Sequence, residues 1–171
     1  MRILGSIMVM TGTTLFGFWL ADCRKRKINN LQQVIFFLER LMTEVCYSLR
    51  PLPEALGTAI ANLNGPLHEI VESIIAKILA GDGISAPEAL KEAFVTGKDD
   101  LMFNHEEMDI ILQWGAALGG SDREDQVRLL KLTIERLKAR EVQLQTELKK
   151  NGKLIRYFGF ITGAALVLIF Y

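Results

Sequence analysis

The chain has 171 residues, room for one ordinary soluble domain and not two large ones. Twenty Lys and Arg balance twenty Asp and Glu, which excludes a uniformly basic nucleic-acid binder. Half of the residues are apolar and the excess sits at the ends: of the charged side chains only Arg2, Asp22 and Arg156 fall within residues 1–22 and 154–171.

Residues 3–21 carry no charge, and as a helix they cover about 28 Å, the thickness of a hydrocarbon core. The chain is therefore expected to open with a membrane span over 1–22. A cleaved signal peptide fits less well, because the single Arg2 makes a poor basic leader and no convincing small-x-small site precedes position 23. Lipidation of Cys23 is opposed by Asp22 before it and four bases after it. Within the span, Thr13 and Gly17 have the small-xxx-small spacing that lets helices approach closely.

Arg24-Lys25-Arg26-Lys27 follows this span, and Lys149, Lys150, Lys153 and Arg156 precede the apolar C-terminus. Lys and Arg near a span are retained on the cytoplasmic side, so both clusters place the intervening domain, 23–153, in the cytoplasm. Between them runs a series of helix signals. Apolar residues from Ile28 to Leu49 recur in steps of three and four and end at Arg50-Pro51-Leu52-Pro53, where proline stops one helix and opens the next. Asn64-Gly65-Pro66 starts a third helix with a broad apolar face, closed by Gly81-Asp82-Gly83. Ser85 with Glu88 reads as a capping box, and Asn104 with Glu107 as a further cap.

Gly119-Gly120 breaks the chain again before Ser121 and Glu124, a second S-x-x-E start. Val127, Leu130, Ile134, Leu137, Leu144 and Leu148 then form a seam that wants a partner helix, interrupted only by Glu141. This helix is expected to continue into a second, shorter span over 154–171, where Gly159 and Gly163 form a G-x-x-x-G. No stretch reads as a strand. The expected fold is all-α: a membrane-anchored helical bundle of about six cytoplasmic helices, the first and last running into transmembrane helices.

The middle is polarised. Residues 82–125 have a net charge of −8, whereas 126–156 have +6 and 24–50 have +4. Positive stems suit an anionic lipid surface at about 1 kcal/mol per well-placed base, and the acidic region either stands off the lipid or docks a basic partner. Cys23 and Cys46 are expected to be free thiols. His68 and His105 lie in no metal-ligand spacing, and no phosphate-binding loop or nucleophile elbow is present. Acid pairs such as Asp99-Asp100 and Glu106-Glu107 read as a solvated face. The expectation is a chain with no catalytic residue, cofactor or metal, and no nucleic-acid partner.

Glu44-Val45-Cys46-Tyr47 and Pro51-Leu52-Pro53-Glu54-Ala55-Leu56, followed by Leu118-Gly119-Gly120-Ser121-Asp122 with Gln126, give the chain a resemblance over its whole length to the stage III sporulation protein AB family. The resemblance implies a part in the channel or secretion apparatus between mother cell and forespore. It also implies a cytoplasmic domain similar to the inner-membrane platform of type II secretion and type IV pilus systems. By that analogy the chain sits in the mother-cell membrane facing the forespore, in contact with lipid, and links a cytoplasmic secretion ATPase to other sporulation channel proteins. The partner-binding residues it suggests are Glu44, Tyr47, Pro51, Leu52, Glu54, Gly119, Ser121, Asp122 and Gln126. The alternative is a scaffold that only self-associates, a homo-oligomer joined through the 127–148 seam and the glycine-bearing spans.

Overall fold

A computed structural model describes the backbone over residues 2–47, 50–81, 83–116, 118 and 123–170. Side chains are described over residues 22–47, 50–81, 83–116 and 124–150, with Gly12, Leu15, Trp19, Leu20 and Leu118. Among these residues there are seven helices and no strand: α1 (Arg2–Tyr47), α2 (Leu52–Ile60), α3 (Pro66–Ala80), α4 (Ala86–Thr96), α5 (Lys98–Leu101), α6 (His105–Gly115) and α7 (Arg123–Phe170). The chain divides into two compact units, Met1–Ile28 with Val142–Tyr171, and Asn29–Glu141.

The first unit consists of the beginning of α1 and the end of α7. Its described side chains are tied locally along each helix: Arg26 Nε donates to Asp22 Oδ2 at 2.8 Å, and Thr146 Oγ1 to the Val142 carbonyl at 2.8 Å. Among the described residues no helix is long and apolar enough to cross a membrane. The side chains of the two expected spans lie for the most part outside the described residues, including those of Thr13, Gly17, Gly159 and Gly163, whose backbone is helical.

In the second unit the apolar stripe on α1 is realised as expected, with Leu31, Val34, Leu38 and Leu41 fully buried. Pro51 ends the break after α1 with φ −57° and ψ 149°, and its carbonyl accepts from Glu54 and Ala55 at 3.0 and 3.1 Å to begin α2. Gly81 closes α3 in the left-handed conformation, φ 73°, which a residue without Cβ adopts cheaply. α3 is less enclosed than its apolar pattern suggests: Leu67, Val71 and Ile74 are buried, but Leu79 is 69% exposed. Both capping boxes form, Ser85 with Glu88 on α4 and Asn104 with Glu107 on α6.

Two close approaches set the packing of α4. A Cβ on Gly97 would lie 2.3 Å from Ile70 Cδ1 on α3, and one on Gly115 would lie 2.4 Å from Leu90 Cδ2. Glycine at these positions leaves room for the Ile70 and Leu90 side chains against the neighbouring backbone. The single turn of α5 is an addition to the expected set of helices; Asn30 on α1 donates to the Asp100 and Leu101 carbonyls at 3.3 and 3.1 Å and caps it from outside.

The middle of the expected seam on α7 packs inside the chain, whereas Val127, Leu144 and Leu148 are half-buried. Leu130, Ile134 and Leu137 are buried against the rest of the unit. Flanking them, Lys138 pairs with Glu39 at 2.6 Å and Gln32 donates to Glu141 at 2.6 Å, which registers α7 on α1. The hydrogen bond and charge of Glu39 raise the Lys138 pKa above its ordinary value.

Candidate interaction surface

The corner between α1 and α2 carries the first group of expected partner residues. Glu44 and Tyr47 stand one turn apart at the end of α1, so they share a face. Glu44 is half-buried, and Tyr47 is 88% exposed. A packing role for Tyr47 is thereby excluded, since its ring touches solvent and not the core. Beyond the break, Pro51 and Glu54 are exposed and Leu52 half-buried. Glu54 lies in the first turn of α2, where the unpaired amides favour a carboxylate. Arg50 reaches across this turn to Thr58 Oγ1 at 3.4 Å. The second group meets the structure only in part: Gln126 is half-buried on α7, whereas Gly119, Ser121 and Asp122 lie outside the described residues.

α6 departs from the expected solvated face. Glu106 is exposed, but Glu107 is fully buried, with no accessible side-chain surface. A buried carboxylate needs a compensating charge and hydrogen bonds, and it has both. Arg140 on α7, itself only 12% exposed, donates Nε to Glu107 Oε1 at 2.9 Å and Nη2 to Glu106 Oε2 at 3.0 Å. The other oxygen of Glu107 accepts from the Asn104 amide at 2.8 Å, so one carboxylate both caps α6 and docks it on α7. One turn before Arg140, Arg136 Nη1 donates to Gln113 Oε1 at 2.9 Å. The spacing of Asn104 and Glu107 reveals the cap but not the burial, because the partner lies 33 residues downstream.

Between α4 and α6 lies an open groove of about 460 Å³. Leu90, Leu112 and Ala116 are among its apolar lining, and Glu88 and Lys91 on α4 and Asp109 on α6 line it with charge. Glu88 accepts from the Ser85 amide and hydroxyl at 3.1 and 2.8 Å, which holds its pKa below the ordinary carboxylate value. Among the described residues no group of His, Cys, Asp and Glu is arranged to hold a metal ion. The described surface offers an exposed aromatic one turn from Glu44 at the end of α1, and an apolar groove lined with charge between α4 and α6.

The sequence profile of the family described as Stage III sporulation protein AB matches residues 2–171. Stage III sporulation protein AB of Bacillus subtilis (strain 168) is 27% identical over 169 residues, 99% of this chain and 98% of the relative. A solved structure of Stage III sporulation protein AB (SpoIIIAB) superposes with a TM-score of 0.67 at 24% identity, covering 72% of this chain and 96% of that one, a likeness of fold.

Proposed function

The chain belongs to the stage III sporulation protein AB family, and from that sporulation role we propose a non-enzymatic membrane platform that links a cytoplasmic secretion ATPase to other channel proteins between mother cell and forespore. The apolar ends, 1–22 and 154–171, anchor it in the mother-cell membrane. Their basic flanks hold the Asn29–Glu141 unit in the cytoplasm. The uncharged run of residues 3–21 and the Arg24 to Lys27 cluster after it support this arrangement.

Tyr47 carries the docking half of the proposal. A tyrosine 88% exposed on a structured helix, one turn from Glu44 and across the proline break from Glu54, is the kind of group that anchors protein interfaces. The ATPase contact is placed there, with the Pro51 and Leu52 edge beside it and the turn that includes Gly119, Ser121, Asp122 and Gln126 as a second element. Against the scaffold alternative, Leu130, Ile134 and Leu137 of its seam are already buried within one chain, which leaves the half-buried Val127, Leu144 and Leu148 for a second copy.

The test is co-isolation of the ATPase with the full-length chain from sporulating-cell membranes. Tyr47→Ala combined with Glu44→Lys and Glu54→Lys abolishes recovery of the ATPase and leaves the thermal unfolding of the chain unchanged. Undiminished recovery rejects this corner as the contact.

A further inference from the structure

The α4–α6 groove and the outward face of α7 bear charges of matched and opposite sign. Lining the groove are two acids and one base, Glu88, Asp109 and Lys91. On α7, Arg128, Lys131, Leu132 and Glu135 fall at steps of three and four and so share one face, turned away from the buried seam of Leu130, Ile134 and Leu137. Between Arg128 and Glu135 that face holds two bases and one acid around a leucine that is 44% exposed. Lys91, Asp109, Arg128 and Lys131 make no ion pair among the described residues. Both surfaces belong to the Asn29–Glu141 unit, so contact between them in two copies requires nothing of the apolar ends.

We infer that the α4–α6 groove of one copy receives the outward face of α7 from a second copy of this chain. Leu132 enters against the apolar lining of Leu90, Leu112 and Ala116. Glu88 and Lys91, one turn apart on α4, face Lys131 and Glu135, one turn apart on α7, and Asp109 on α6 faces Arg128. Sign matching of this kind selects register and partner. The contact is distinct from the stripe of Leu130, Ile134 and Leu137, which is buried within the single chain. Its two halves are different surfaces, so each copy offers both a groove and a helix.

Crosslinking in intact cells tests this with full-length chains in which Cys23 and Cys46 are replaced by Ser. Two differently tagged versions are co-expressed, one with Ala116→Cys in the groove and the other with Ala139→Cys two turns beyond Leu132, and treated with a short bismaleimide. The expected result is an adduct carrying both tags. Lys91→Glu in the groove chain lowers its yield about tenfold, as one unfavourable charge pair does, and Glu135→Lys in the helix chain restores it. Both side chains are exposed, so the unfolding curve of each variant stays that of the parent. Absence of the adduct overturns the inference. So does a yield that ignores Lys91→Glu, or an equal yield when Thr43→Cys on α1 replaces Ala116→Cys.

Discussion

Replacing Arg140 by Met puts the pairing of α6 with α7 to a direct test. The substitution keeps most of the aliphatic stem and removes the guanidinium, leaving Glu107 at zero exposure with its 2.9 Å partner gone. Stranding a buried charge in this way costs about 3–5 kcal/mol. The companion contact to Glu106, a residue 58% exposed, adds no more than about 1 kcal/mol. The hydrogen bond from the Asn104 backbone amide does not neutralise the carboxylate. Against a typical total stability of about 5–15 kcal/mol the loss is large, and it corresponds to a melting temperature lower by about 10–20 °C. Denaturant unfolding of the detergent-solubilised full chain measures it. Arg140→Met with Glu107→Leu removes both charges and recovers most of the loss, because two apolar groups of similar shape cost little where an unpaired ion costs much. A single Arg140→Met variant within about 0.5 kcal/mol of the parent refutes the reasoning, since it means the carboxylate does not depend on Arg140 for its charge.

Three further outcomes are expected. Glu88 is depressed from its ordinary value of 4.5 by Ser85, so its stabilisation of α4 is complete above pH 4.5 and is lost as pH falls through the lower folded value. Glu88→Gln keeps the capping geometry and flattens that acid limb, as unfolding midpoints across the acidic range show. Gly97→Ala forces a Cβ to 2.3 Å from Ile70 Cδ1 and costs about 1–3 kcal/mol in the same unfolding assay, and with Ile70→Val, which removes Cδ1, the combined loss is smaller than the sum of the two single losses. Met102, at φ 59°, holds a conformation that costs a side chain about 1 kcal/mol relative to glycine, so Met102→Gly does not lower the unfolding midpoint despite the freedom glycine adds to the unfolded chain.

Helix boundaries were legible where a single residue decides them. Pro51 forbids continuation, Ser85 and Asn104 supply an acceptor with a Glu three residues on, and Gly81 takes the left-handed turn; each acts within one turn of itself. α5 escaped the reading for the converse reason. Its stop is Met102, a residue with no preference for the left-handed region, and its cap is Asn30, about 70 residues earlier. Burial of charge was likewise illegible. Glu106 and Glu107 look alike in sequence, but only one faces α7, and the 3.6-residue period alone does not say which without the position of Arg140. The partner residues around Tyr47 were nominated by resemblance, and what the fold adds is exposure: Phe37, on the same helix, is 1% exposed, and Tyr47 is 88%.

α7 shows why an apolar seam is weak evidence for self-association. Its repeat of Leu130, Ile134 and Leu137 has the spacing of a coiled-coil stripe, yet in this chain it lies inside the unit, flanked by Lys138 on Glu39 to one side and Arg140 on Glu107 to the other. Those flanking pairs serve as the specificity device: a second copy of α7 offered to the same stripe would meet like-charged Lys138 and Arg140 in place of Glu39 and Glu107. The choice between an internal and an external partner is therefore made by the polar residues beside the seam, and reversing Glu39 to Lys, which sets two cations at the α1–α7 contact, loosens α7 from α1 and exposes the seam as newly available apolar surface to a hydrophobic dye. Unchanged dye binding by the Glu39→Lys chain would show that the apolar contacts alone choose the partner.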